Sequence, residues 1–339
     1  MATSKKTIVV VGGTGILGSS VARSLHDNPD FHVRVTTRDP LSAKAARLTD
    51  CGIEVVKADS WNIDELTKAL SGCWGLFLNI DSDAPNFKQQ IGPSELDMGR
   101  LILHTAAAVG IKHVVHASLP AATKLTQGRV PMVNWDDKAA ISEYALKNKQ
   151  FSTATILSAG WFLENSFDPK YAASFGGFAM IKDDDGFYTW KTPPMGNDPE
   201  SVPFLAVADD YGDFVHGVFL NPQKWDRKYV HGVSESLSFT DMTAAFQRAT
   251  GLRARYQKLG TGQSLMAGNE LKTKEVNGLF DVMHAVQGRF FNGEVTEPRH
   301  AKELKAAVSL VRRGKTSTTP MTAEQFFRKY SPGNPSAKL

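Results

Sequence analysis

Val9-Val10-Val11-Gly12-Gly13-Thr14-Gly15-Ile16-Leu17-Gly18 decides how this chain is read. A short apolar run, long enough for one buried strand, meets a glycine-rich turn, and a helical pattern opens directly behind it. The turn is tight, and a backbone that approaches a pyrophosphate closely tolerates no Cβ, so glycine is the residue both demands call for. N–H groups at the start of the following helix then point at the phosphates, aided by the helix dipole. The glycines fall at 12, 15 and 18, a GxxGxxG spacing rather than GxGxxG. On this reading Gly12, Thr14, Gly15, Ile16 and Leu17 cradle a dinucleotide.

The surrounding pattern supports that reading. Apolar runs at Thr7–Val11, Val33–Thr37, Ile53–Lys57, Gly75–Ile80, His113–Ala117 and Ser152–Leu157 alternate with helical stretches near 17–27, 41–50, 63–71, 94–109 and 136–148. Such alternation predicts an α/β fold, a Rossmann-type doubly wound parallel sheet. Asn62, ahead of Ile63-Asp64-Glu65, is expected to cap a helix, and Ser71-Gly72 and Val109-Gly110 to stop two others. After Ser158 the texture changes to aromatics, prolines and glycines. The expected organisation is a dinucleotide-binding domain over 1–158, a smaller α+β substrate-covering domain over 159–330 that can return elements to the sheet, and a frayed tail over 331–339. Asp183–Gly186 reads as a hairpin turn between Phe178–Lys182 and Phe187–Lys191, its acids being turn residues rather than metal ligands. Helices are expected near 209–220 and 239–250, capped by Asp209 and Thr240, and over 270–291 and 298–312.

The second strand carries the cofactor preference. Arg38 follows Thr37, 20 residues after Gly18, where an enzyme using NAD keeps an acid for the ribose 2′-hydroxyl. An arginine there pairs with a 2′-phosphate, so NADP is favoured over NAD. Asp39 comes next, and were it the residue that faces the ribose, the preference would reverse.

Composition bounds the rest. Apolar residues make up 42% of the 339 and charged ones 22%, ordinary for a globular protein. The formal charge of +4 is interspersed, its densest cluster being Arg312, Arg313 and Lys315. That argues against direct nucleic-acid binding. Cys51 and Cys73 have no partners at metal spacing and read as small buried apolar residues in a reducing compartment. No signal-type run follows Met1–Lys6, and no apolar stretch approaches a membrane span, so a cytosolic protein is expected.

Several segments together resemble the NmrA-like family, an atypical branch of the short-chain dehydrogenase/reductase fold, over roughly residues 6–260. Besides the glycine segment they are Thr36-Thr37-Arg38, Val55-Val56-Lys57-Ala58-Asp59, His116-Ala117-Ser118-Leu119-Pro120, Asp136-Asp137-Lys138 and Trp161-Phe162-Leu163-Glu164-Asn165. The resemblance implies that Asp59 sits by the adenine and that Asn79, Ile80 and Asp81 lie along the cofactor. It implies that Lys138 hydrogen-bonds the nicotinamide ribose, and that Trp161 to Asn165 line the nicotinamide end. For Trp161 and Phe162, core packing is an equal reading.

Short-chain reductases pair a tyrosine with a lysine four residues later, the tyrosine exchanging a proton with the carbonyl. Here the residue four before Lys138 is Asn134, which holds a carbonyl but donates no proton of matched pKa, and Tyr144 lies on the wrong side. Three readings stand. One is a reductase of a small carbonyl- or imine-type substrate, such as a secondary metabolite, drawing its proton from Lys138, Glu164, Tyr171 or water. The second is a non-redox cyclase or rearrangement catalyst, with NADP as a structural wall and Trp161, Phe162, Phe167 and Trp190 around a cation. The third is a nucleotide-sensing regulator acting through protein partners. Ser118 stands where the short-chain fold often keeps a catalytic serine, and His116 could point toward the cofactor edge. The aromatic lining over 159–204 favours an enzyme.

Overall fold

The computed structural model describes residues 5–196, 199–260, 270–314 and 317–331. The strands in chain order are β1 (Lys6–Val11), β2 (Phe31–Thr37), β3 (Glu54–Lys57), β4 (Gly75–Leu78), β5 (His113–Ser118), β6 (Thr153–Ala159), β7 (Trp161–Phe162), β8 (Tyr188–Thr192), β9 (Val202–Leu205), β10 (Tyr229–Gly232), β11 (Glu235–Leu237) and β12 (Ala254–Lys258). Seven of them form one sheet in the order β10-β6-β5-β4-β1-β2-β3, every pairing parallel. Both faces of a parallel sheet are covered, so its strands read as unbroken apolar runs: Ile8 to Val11 are buried, and so is all of β6. Strand order reverses between β1 and β4, and ligands of such sheets bind at the carboxyl ends beside that crevice.

The helices start and stop for local reasons. The Asn62 side chain accepts from the N–H groups of Asp64 and Glu65 at the head of Ile63–Leu70. Ser94 and Asp97 form a reciprocal capping box for Glu95–Ala108. Gly72 and Gly110 take the left-handed conformation expected at helix stops. Two caps lie elsewhere than expected. Ser238, not Thr240, caps Phe239–Thr250. Asp209 lies within a π-helical turn, Val207–Tyr211, and its carboxylate instead takes Lys329 and Tyr330. The two long later helices are shorter than expected, at Glu270–Ala285 and Arg299–Ser309.

Residue 158 does not divide the core. β10 comes from the second half and completes the sheet beside β6. Helix Gly212–Leu220 packs on Ile16–His26 so closely that a Cβ on Gly212 would lie 2.2 Å from the Ser20 carbonyl oxygen. A buried charge cluster locks this joint. Lys305 Nζ lies 2.6 Å from Asp210 and 3.0 Å from Asp213, and Arg312 bridges Asp213 to Asp27. The remainder of the second half is an aromatic core around Trp161, Trp190, Phe204, Phe239 and Phe327, flanked by the β11-β9-β7 and β12-β8 sheets.

Two expectations are corrected. Asp183–Gly186 is a turn, but Phe178–Lys182 forms no strand, and β8 pairs in parallel with β12 instead. Asp183 holds this junction: it accepts from Thr189 and Phe187 N and pairs with Arg255, bonds that keep its carboxyl at about 2. Cys73 is buried as expected, whereas Cys51 is exposed. Most of the expected tail, 332–339, and Lys315 of the basic cluster lie outside the described residues. Among the described residues, no helix is long and apolar enough to cross a membrane.

Replacing Lys305 with methionine removes the shared cation from two fully buried carboxylates. A loss of about 3–5 kcal/mol is expected in urea unfolding, the range for breaking a buried ion pair from one side.

Candidate functional site

The glycine turn shows which of its residues the chain itself demands. Gly12 has φ +75°, and a Cβ there would lie 2.2 Å from the Asn79 carbonyl oxygen at the end of β4. A Cβ on Gly18 would lie 2.2 Å from the Gly12 carbonyl oxygen, and one on Gly13 would strike Val35 at 2.5 Å. Gly15 differs. Its backbone is extended, and the one neighbour of its missing Cβ is Gly12 O at 3.4 Å, an ordinary contact. The fold therefore does not require glycine at 15, and the missing Cβ leaves the turn open to close approach by a ligand. Gly15 also heads helix Ile16–His26 without any side-chain cap, which leaves the first-turn N–H groups for an anion. The cradle fits a pyrophosphate.

Arg38 lies exposed just beyond β2, and its guanidinium has no hydrogen bond or ion pair among the described residues. Asp39 is occupied with its own turn, its carboxylate accepting from Leu41 N at 3.0 Å. Arg38 and Asp39 stand side by side at this edge, the guanidinium unpaired among the described residues and the carboxylate bonded within its own turn. Asp59, after β3, accepts from Trp61 N, while Asp81 accepts from Asp83 N, each shaping a loop along the strand ends.

From Leu17 and Asn79 a cavity of about 310 Å³ runs inward. Asn134 and Lys138, one turn apart on helix Val133–Lys147, share its wall with Ser118, Trp161, Phe162, Asn165 and Tyr171. Trp161 serves both readings at once, facing the cavity while packing against Phe175 and Trp190. The Asn134 carbonyl oxygen accepts from Trp135 N, which leaves its NH₂ as a donor. Lys138 is buried: its Nζ donates to Ile80 O at 2.8 Å and lies 2.7 Å from Glu95 Oε1.

Ser118 is held from behind. Ser142 Oγ donates to Ser118 Oγ at 2.7 Å, and His116 Nδ1 lies 2.9 Å from Ser142 Oγ. His116 is fully buried, which drives its pKa well below the ordinary value, so it supports the serine as a neutral ring and does not face the cofactor edge.

Three candidates do not line the cavity. Trp190 lies behind Trp161 in the aromatic core, and Phe167 stacks on Phe326. Glu164 accepts from Ala208 N and ties the β7 end to the π-helical turn. Burial raises its carboxyl to about 7. Glu95, Asp83 and Glu275 were not anticipated. Asp83 and Glu275 line the cavity and share Lys88, at 2.7 and 3.6 Å. The Ser94–Asp97 box signals a helix start in sequence, but nothing local signals that Glu95 meets a lysine 43 positions later.

A glycine turn that fits a pyrophosphate at the switch point, opening into a mostly apolar cavity, gives this α/β chain the layout of a dinucleotide-binding fold. The chain matches the NmrA-like family over residues 4–308 and belongs to it. Its curated relatives include the NmrA-like family domain-containing oxidoreductase lnaB of Aspergillus flavus, 41% identical over 91% of this chain and 93% of that one. Another is the oxidoreductase FrzB of Cladobotryum sp, 39% identical over 95% and 97%. Among solved structures, NmrA, a negative transcriptional regulator in complex with NADP, superposes with a TM-score of 0.75 at 21% identity, over 96% of this chain and 95% of that one. The NADPH-dependent quinone oxidoreductase QOR2 of Escherichia coli, complexed with NADPH, gives 0.63 at 21% identity, over 94% and 98%. At such identities these two likenesses are of fold.

Two outcomes follow from this geometry. Gly15→Ala is expected to keep the wild-type melting temperature while weakening dinucleotide binding in calorimetry; Gly18→Ala should instead lower the melting temperature through its clash with Gly12. For Glu164, the folded pKa of about 7 exceeds an unfolded value of about 4.3, so the native state binds the extra proton and its stability falls as pH rises between them. Glu164→Gln removes that loss, on the order of 2–3 kcal/mol. Urea unfolding at pH 5 and pH 8 should show a smaller decline in the variant than in the wild type.

Proposed function

We propose that this chain is an NADP-dependent reductase of a small, mostly apolar organic molecule with a carbonyl or imine carbon. The observation that carries the reading is the continuity between the glycine cradle and the cavity. Leu17 and Asn79, at the cradle, are also cavity wall, and Lys138 stands beside them. A nucleotide sensor needs no such cavity, and the curated relatives' name, oxidoreductase, agrees with redox chemistry.

NADPH, when bound, supplies the hydride that reaches the substrate carbon. The chain's own residues do the rest. Backbone N–H groups from Gly15 onward and Arg38 would hold the pyrophosphate and the 2′-phosphate. Trp161 and Phe162 exclude water and press the substrate against the cofactor end. Lys138 Nζ is the proton donor to the carbonyl oxygen or imine nitrogen, which balances the hydride. The Asn134 NH₂ and Ser118 Oγ orient that heteroatom. Burial raises the Tyr171 phenol above its ordinary value.

The test is calorimetry with NADPH and NADH, followed by NADPH oxidation across a carbonyl and imine panel. Arg38→Ala should cost about tenfold or more in NADPH affinity and leave NADH unchanged. Lys138→Met should abolish turnover, with circular dichroism and NADPH binding checking that the variant folds, whereas Tyr171→Phe keeps it. Silence of the wild type on the whole panel, with NADPH bound, would turn the assignment to non-redox chemistry.

A further inference from the structure

Lys138 is surrounded more elaborately than a ribose ligand requires. Its ammonium donates to Ile80 O at the β4 end and lies 2.7 Å from Glu95 Oε1, and Lys138 lines the cavity. Glu95 is 1% exposed, the first residue of helix Glu95–Ala108, and does not itself line the cavity. Stability alone explains this pair poorly, since a buried ion pair gains little over well-packed apolar residues. Nor is it needed to join the helices. Asp137, the neighbour of Lys138, already accepts from Leu96 N at the same helix end.

Resting on the reductase reading, we propose that Glu95 is the positioning residue that keeps Lys138 charged and aimed into the cavity. A buried ammonium with no counter-charge loses its proton readily, and a lysine that had lost it could not serve as the acid. Glu95 supplies that counter-charge from behind, out of substrate's reach. The other titratable groups around the pair are Asp137 on the same helix, the neutral His116 from β5, and Asp83, Tyr171 and Glu275 on the cavity wall. Burial holds the Glu95 carboxyl above its ordinary value, and the Lys138 ammonium draws it only part of the way back.

Lysine side-chain ¹⁵N NMR on the whole protein, assigned with Lys138→Met, reads the Lys138 titration directly. Glu95→Gln keeps size and an acceptor but removes the charge. Its Lys138 midpoint should fall by about one pH unit or more. An acid is active below its pKa, so the alkaline limb of NADPH oxidation should move to lower pH by the same amount. NADPH affinity should stay within about threefold. Glu95→Asp should restore part of both shifts. Should Glu95→Gln not fold, Glu95→Asp carries the test, its retracted carboxylate lowering the midpoint by a smaller step. A folded variant with an unmoved Lys138 midpoint overturns the inference. A moved midpoint in a protein that reduces nothing on the panel supports the hold of Glu95 on Lys138 and overturns the reductase reading alone.

Discussion

The Gly12 carbonyl oxygen lies so close to Gly18 that a Cβ there would meet it at 2.2 Å, which leaves no room for a single methyl group. It forces helix Ile16–His26 to begin directly over the end of β1, with its N-terminus at the crevice where strand order reverses. From that position follow the anion cradle, the entry of Leu17 into the cavity wall, and the face that Ile16–His26 offers to Gly212–Leu220. A bulkier residue at 12 or 18 would tilt the helix and disturb all three together. Gly15, the glycine without such a neighbour, is the point at which fold and ligand requirements separate.

Two buried charge clusters flank this arrangement and are built differently. Behind the helix, Asp210, Asp213, Lys305 and Arg312 satisfy one another away from the cavity, and their geometry joins the two halves of the chain. Beside the cavity, Glu95 and Lys138 form a single pair with one member reaching the wall. Each cluster carries a desolvation cost of several kcal/mol per ion, offset by close contact and hydrogen bonds. The first converts that cost into a fixed joint. The second converts it into a cation held where no bulk water screens it.

Much of this was legible in the chain because the signals are local. The six strands of the first half, the Asn62 cap and the glycine stops follow from patterns a few residues long. The Asn134–Lys138 spacing also sufficed to place both side chains on one wall, since residues four apart share a helical face. What escaped was set by distant partners. The sequence allows for a return of elements to the sheet, but β10 is four residues with no marker distinguishing a sheet edge from a loop strand, so nothing picks out the strand itself. Phe178–Lys182 alternates acceptably for a strand, yet β8 found its partner in β12, more than sixty residues on. Glu164 reads as a candidate acid within a pocket motif, but its neighbour Leu163 turns into the core and carries the carboxylate to Ala208 N. Phe167 and Trp190 show that an aromatic-rich stretch supplies both a wall and the packing behind it.

The return of β10 bears on how such a protein can change over time. β6 is buried along its whole length and carries no charged residue, bulge or proline to discourage pairing with another chain. Its guard is β10, delivered some seventy residues later by the half that also furnishes the pocket. The nucleotide-binding half therefore cannot be traded as an independent cassette, because a copy ending after β6 would present an adhesive apolar border. From β7 to β10, by contrast, side chains facing the cavity such as Phe162, Asn165 and Tyr171 could be exchanged while the strand that closes the sheet is retained.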